Sequence, residues 1–258
     1  MNVDPNPEPT PVLTGDRYLE HLLADAERLA VLLETESLDT PIMACPGWSL
    51  ARLAEHVGQI HRWANFCAIH GRRPSDDEAQ ALESFDASIA ADWMRAGVAE
   101  LAATLRQLDP AAPTWHPFPG DQTAAFWPRR QAHETAVHRW DAEQACGKPT
   151  GIDPTLASDG IDEYFSIVLP RLVSAGRAKL PTGSLHVHCT DVPGEWLLWA
   201  DDGGFQMTRA HQKGDAALRG PAAAILLRLW GRHADDADEL SPVGDQAVLD
   251  AWLEIGGV

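Results

Sequence analysis

The sequence predicts an α+β protein, with an N-terminal four-helix bundle followed by a small C-terminal α+β domain. Three observations lead there. Between residues 16 and 147, four segments repeat apolar residues at the three- and four-residue spacing of amphipathic helices. Beyond residue 151 the texture changes to short apolar segments bounded by Asp, Gly and Pro turns, such as "DVPGE" and "DDGG". Between the third and fourth helical segments, "DPAAPTWHPFPGD" breaks the chain sharply. The expected organisation is a flexible lead-in over 1–15, a bundle over 16–150 and the α+β domain over 151–258.

The first helix is expected over 16–36, where Leu19, Leu22, Leu23, Ala26, Leu29 and Leu33 fall on one stripe. The second lies in "CPGWSLARLAEHVGQIHRWANFCAIHG", with Ser49 as a plausible N-cap and Gly71 as its stop. Its inward stripe is Leu53, Val57, Ile60, Ala64 and Cys67, with His56 inside the stripe and His61 and His70 outside it or at its end. The polar stretch "GRRPSDDEAQ" leads to a third helix at about 84–108, facing inward through Ile89, Trp93, Met94, Val98, Leu101 and Leu105. The fourth begins near Pro128, a tolerated first-turn proline, and is closed by Gly147 and Pro149. A further helix is expected at 156–174. Strands follow at "SLHVHCTD", "GEWLLWAD", "GFQMTRA" and "AALRG", with closing helices at 221–231 and 244–255. In the first strand Leu185, Val187 and Cys189 alternate with His186 and His188, which reads as one apolar and one wet face. That histidine pair is either a solvent face or a pair of metal ligands two residues apart.

Composition narrows the function. The chain has 258 residues and a 45% hydrophobic share, enough for real cores. Lys+Arg of 20 against Asp+Glu of 38 leaves a net charge of −18, which argues against nucleic acid or an anionic membrane surface as partner. The start lacks the apolar core of a signal peptide, and no run is long and apolar enough to span a bilayer. Cys45, Cys67, Cys146 and Cys189 form no C-x-x-C pair and read as reduced thiols of a cytoplasmic protein.

The stretch that carries chemistry is "RRQAHETAVHRWDAE", residues 129–143. It looks like the zinc-protease H-E-x-x-H, but has one residue too many before the second histidine. At about 100° per residue, His133 and His138 point about 140° apart and cannot share a small ion. Glu134 and His138, four apart, diverge by only about 40° and can. Glu134 therefore changes from free base to possible ligand. His56, inward on the second helix, supplies a third donor. Two imidazoles and a carboxylate leave positions open, as catalytic metal sites do. Spacing alone leaves the alternative open, in which His56 is an ordinary core histidine. Arg130, four before Glu134, and Asp141, seven after it, read as salt-bridge partners.

"CPGWSLARLAEHVGQIHRW" and "RRQAHETAVHRWDAEQA" together resemble the mycothiol-dependent maleylpyruvate isomerase family, within the DinB-like metalloprotein superfamily. "LRGPAAAILLRLWGR" is similar to the end of that family's C-terminal domain. The resemblance implies a DinB-like bundle holding a divalent metal, generally Zn2+, through positions matching His56, Glu134 and His138. It implies mycothiol, the thiol of actinobacteria, as cosubstrate, and an arginine that takes a carboxylate. Arg232 is the nearest match, with Arg209, Arg219 and Arg228 as competitors. A carboxylate pocket also has Arg130 and Arg139 as candidates. In the implied chemistry a bound thiol loses its proton and adds to an activated double bond of the substrate. Rotation and elimination then isomerise the substrate, whereas a retained adduct makes the reaction an S-transfer.

The leading expectation is thus a cytoplasmic, metal-dependent isomerase or S-transferase. Its partners are a small electrophile and a low-molecular-weight thiol. The alternatives are a non-catalytic metal- or ligand-binding protein on the same scaffold and a metal-dependent hydrolase. Trp48, Trp63 and Trp140, close in sequence to the proposed ligands, are candidate pocket liners or core residues.

Overall fold

A computed structural model describes residues 13–82, 84–232 and 239–256. The backbone contacts divide these into two compact units, residues 13–152 and residues from Asp153 onward. Among the described residues, no helix is long and apolar enough to cross a membrane.

The first unit is built on four long helices: α1 (Gly15–Thr35), α2 (Leu50–His70), α4 (Ala90–Gln107) and α5 (Phe126–Ala145); a short α3 (Asp76–Leu82) lies between α2 and α4. The residues at the helix ends explain where they start and stop. Thr14 accepts from the Arg17 backbone N–H at α1, and Ser49 from Arg52 at α2. Gly71 ends α2 in the left-handed region at φ 65°, with its N–H bonded to the Cys67 carbonyl. Pro128 stands at the third position of α5 rather than the first, still inside the turn whose N–H groups lack intrahelical partners.

α1 packs on α5 and α4, and α2 packs on the same two helices. Leu19, Leu22, Ala26, Leu29 and Leu33 of α1, with Leu53, Val57, Ala64 and Cys67 of α2, fill the interior as their spacing requires, whereas Leu23 and Ile60 are only half-buried. Each fully buried leucine contributes roughly 1.5–3 kcal/mol. Two expectations are corrected. Ile89 is 51% exposed, because residues Ala87–Ile89 form a 3-10 turn ahead of α4 and its side chain escapes the helical stripe. His61 is wholly buried, because α2 faces two neighbouring helices and its buried arc is wider than a single stripe. At Gly58 the same crowding is visible: a Cβ there would sit 1.9 Å from the Trp93 ring.

The second unit opens with α6 (Pro154–Glu163), one π-helical turn (Tyr164–Val168) and α7 (Leu169–Ser174). Asp153 caps α6 by accepting from the Thr155 and Leu156 N–H groups. Strands β1 (Leu185–Cys189), β2 (Glu195–Asp201), β3 (Gly204–Thr208), β4 (Ala216–Gly220) and β5 (Ser241–Gly244) form one sheet in the order β3-β2-β1-β4-β5. β1 runs parallel to β4, and the other pairs are antiparallel. Leu185, Val187, Trp196, Leu198 and Leu218 are buried, as are Phe165 of the π turn and Ile225 of α8 (Ala222–Leu229). α9 (Gln246–Leu253) packs on β4. The four expected strands are present. β5 is an addition: its sequence Ser-Pro-Val-Gly reads as a turn, but a proline is compatible with the sheet edge.

The wet face expected of β1 is also corrected. His186 is 7% exposed and His188 is half-buried, because Glu195 of β2 and His211 crowd over them.

Candidate metal centre

α5 carries most of the buried polar side chains described in the first unit. Unlike the other long helices it has no apolar stripe, and Arg130, Gln131, His133, Thr135, Arg139, Asp141 and Glu143 are all buried along it. Polar groups tolerate such burial when they are paired.

His56 of α2 and Glu134 and His138 of α5 are brought together. His56 Nε2 lies 3.2 Å and His138 Nε2 3.4 Å from the same oxygen, Glu134 Oε1. One donor atom from each of the three residues fits within a 4.8 Å span. A tetrahedral ion with bonds of about 2.0–2.1 Å places its ligand atoms about 3.3–3.4 Å apart. The two imidazoles and one carboxylate therefore suit a zinc-sized ion in donor type and in spacing. The three side chains are 27%, 20% and 12% exposed in the order His56, Glu134, His138, so the group is partly open.

The surroundings set its charge. Arg130 Nη2 donates to Glu134 Oε2 at 2.6 Å, leaving Oε1 facing the histidines. Burial works against the Glu134 charge, but hydrogen bonds from His138 and His56 and the Arg130 guanidinium outweigh it and hold the carboxyl well below the usual range. Burial likewise opposes a charged His138, yet Asp141, Cys45 and Glu134 outweigh it and raise that imidazole well above its ordinary value. His138 Nδ1 faces Asp141 Oδ2 at 3.1 Å, and this orients the ring so that Nε2 turns to Glu134. A cation here would replace the Nε2 proton.

Trp48 lines the group: its ring centroid is 4.9 Å from His56 and 6.1 Å from His138, on which it stacks at an interplanar angle of 24°. Trp63 instead meets Trp115 and Trp127 edge-on, and Trp140 is 6% exposed in the core. Arg130 and Asp141 are the salt-bridge partners expected of them. Arg139 is corrected as a pocket candidate, because its guanidinium is 2% exposed and committed to Asp25, Glu143, Thr150 and Gly151. Arg232, in the second unit, is 6% exposed and donates from Nη1 to the Trp230 carbonyl at 2.8 Å. Its competitor Arg209 is engaged by Asp162.

Spacing did not single out Cys45. Its Sγ is 3.8 Å from Asp141 Oδ2, and Cys45, His138 and Asp141 form a second donor group that shares His138 with the first. The four cysteines are free thiols, and burial pushes Cys67 and Cys189 up to about 12, which removes them as nucleophiles.

His61 is a neighbour of different character. It is fully buried with Nε2 2.8 Å from Thr135 Oγ1, and burial lowers its pKa to about 3. The folded protein keeps it neutral while the unfolded chain takes up a proton below pH ~6.5. The unfolded state therefore binds more protons between about pH 3 and 6.5, and stability falls with falling pH by about 1.4 kcal/mol per unit from this one group. Urea midpoints of wild type and His61→Gln, compared at about pH 7 and about pH 5, should show a shallower acid loss in the variant. An equal loss in both would remove His61 as the cause.

Two family models match the chain: the mycothiol maleylpyruvate isomerase N-terminal domain over residues 19–143, and the MDMPI C-terminal domain over residues 155–251. No curated protein matches it. Among solved structures, the crystal structure of the mycothiol-dependent maleylpyruvate isomerase is similar with TM-score 0.58 and 13% identity. The match covers 89% of this chain and 93% of that one. A histidine-to-alanine mutant of that enzyme matches with the same TM-score and coverage at 12% identity. At such identity the likeness establishes the fold.

Proposed function

Because the chain belongs to the mycothiol maleylpyruvate isomerase family, we propose that it is a divalent-metal-dependent enzyme acting on a small electrophile with a low-molecular-weight thiol, mycothiol, as cosubstrate. The reaction is isomerisation or S-transfer. The observation that carries this reading is the convergence of His56 Nε2 and His138 Nε2 on one oxygen of Glu134. His56, Glu134 and His138 would hold the ion, with Zn2+ favoured by two imidazoles and a carboxylate. A bound divalent ion with an open position supplies the acidity that makes a coordinated thiol a thiolate at neutral pH.

The chain's own residues prepare for this. Arg130 keeps Glu134 anionic and holds its second oxygen. Asp141 fixes the His138 ring by its far nitrogen. Trp48 lies against both imidazoles and excludes water from that side. Arg232 is proposed, by its match to the family motif, as the guanidinium that takes a carboxylate of substrate or thiol. The net charge of −18 fits a cytoplasmic protein whose partners are small molecules rather than nucleic acid or membrane.

The test is turnover of maleylpyruvate by zinc-loaded protein with and without mycothiol. Thiol-dependent turnover that returns the thiol supports isomerisation, and turnover that consumes it supports S-transfer. Thiol-independent hydrolysis would make the protein a hydrolase. No turnover of a panel of activated alkenes, with metal bound, would make it a binding protein.

A further inference from the structure

We propose that the second unit carries a metal site of its own, in which His186, His188, Glu195 and His211 hold a divalent first-row transition ion. The strand register makes the cluster. His186 and His188 are two apart on β1 and share the face opposite Leu185 and Val187. Glu195 is the pairing partner of His188 on β2, so its side chain rises on that face. The chain then returns along β3 and, three residues past its end, brings His211 over the same spot.

The distances describe convergence on a point. Glu195 Oε1 is 2.8 Å from His188 Nδ1, and Glu195 Oε2 is 2.7 Å from His211 Nδ1 and 3.4 Å from His186 Nε2. The three rings lie 5.4–6.0 Å apart, each nearly perpendicular to the others. One donor atom from each of the four residues fits within 4.8 Å. Shifts of about an ångström bring four such atoms to the roughly 3.3–3.4 Å edges of a tetrahedral site.

Pairing within the protein accounts for only part of the cluster, since a hydrogen bond of 2.7 Å joins His211 Nδ1 to Glu195 Oε2. His186 Nε2 and His188 Nδ1 are buried with no hydrogen-bond partner, although Glu195 oxygens lie within reach. What is left is three imidazoles gathered around one carboxylate. Three imidazoles and a carboxylate suit Zn2+, and also Co2+, Ni2+ or Cu2+. Four protein ligands close a tetrahedral shell, which is the pattern of a structural ion. Here it would clip the segment after β3 onto β1 and β2.

Zinc binding by the full chain, stripped of metal and dialysed against Zn2+, separates this site from the one in the bundle. Wild type is expected to take up two equivalents by plasma mass spectrometry. His56→Ala/His138→Ala should lose one and His186→Ala/His188→Ala the other. His186 is buried, so a second variant guards against misfolding. The His211 side chain is 75% exposed, and His211→Ala should leave the sheet intact while weakening the corresponding equivalent at least tenfold. A single equivalent lost in His211→Ala and kept in His56→Ala would support this site and sink the one in the bundle. Two equivalents retained unchanged in both second-unit variants, or uptake abolished by His56→Ala/His138→Ala alone, would overturn it. The cluster would then be a histidine–carboxylate network only.

Discussion

Glu134→Gln is expected to lower the affinity of the bundle site for Zn2+ by more than 100-fold, with thiol-dependent turnover falling in proportion. The reasoning rests on where the two histidines point. Both Nε2 atoms lie within 3.4 Å of Glu134 Oε1, so this oxygen is the hub of the group. Removing its charge leaves two imidazoles, on different helices, with no anion between them. Loss of a partner one step further out costs roughly 10–100-fold in metal affinity. Asp141→Asn, which loosens the His138 ring without touching the donor atoms, should fall in that range and so below Glu134→Gln. Glutamine is the better test than alanine, because it keeps the volume and an acceptor for Arg130, which is 5% exposed and donates to Glu134 at 2.6 Å. Calorimetric titration of metal-free protein with Zn2+ reads the affinities, and circular dichroism checks that each variant is folded. Wild-type affinity in folded Glu134→Gln would mean that the ion is held elsewhere.

The ranking of these two variants reflects how much of the site is legible in the chain. Glu134 and His138 share a helical face by spacing alone, whereas His56 lies within an apolar stripe, where spacing equally allows an ordinary core histidine. Their partners Arg130 and Asp141 are on the same helix and follow from the same period. Cys45 is not legible, because it meets Asp141 across 96 residues of sequence through packing that no local pattern encodes. His211 escapes for a related reason. His186 and His188 stand out as an alternating pair on a strand, but the loop after β3 brings in the third histidine, and loop paths carry no periodic signal.

The helices follow the same division. α1, α2 and α4 announce themselves by stripes, with small errors at Ile89 and His61 where a 3-10 turn or a second neighbour changes the buried arc. α5 has no stripe, and its place comes from good helix formers between Pro128 and Gly147. What that punctuation cannot convey is that the helix is buried nearly all round, so that its charged residues are paired inside the unit rather than solvated. Arg139, a sequence candidate for a carboxylate pocket beside Arg130 and Arg232, is instead committed inside the unit. Its partners Asp25 and Thr150 lie 114 and 11 residues away, and only the fold joins them.

That pairing yields the largest expected effect on stability. Arg139 Nε donates to Asp25 Oδ1 at 3.1 Å, and Nη1 donates to Glu143 Oε2 at 2.7 Å and to the Thr150 carbonyl at 2.9 Å. The guanidinium is 2% exposed, and Asp25 and Glu143 are buried with it. Arg139→Met fills similar space but leaves the Asp25 charge with no partner at that distance, and breaking a buried pair from one side costs about 3–5 kcal/mol. Glu143 suffers less, because Arg28 Nη2 also reaches it at 2.6 Å. Burial already raises the Asp25 pKa, even though Arg139 pulls it down. Without Arg139 it rises further, so the folded variant binds a proton that the unfolded chain releases above pH ~3.9. The variant is then most stable relative to wild type at low pH, and its deficit grows as pH rises through the folded pKa of Asp25. Asp25→Asn in the Arg139→Met background removes that charge and should recover part of the loss and all of its pH dependence. Urea unfolding of the two variants and wild type at acid and neutral pH measures both. A deficit under about 1 kcal/mol, the worth of an exposed pair, would show that Arg139 is not what keeps these carboxylates buried.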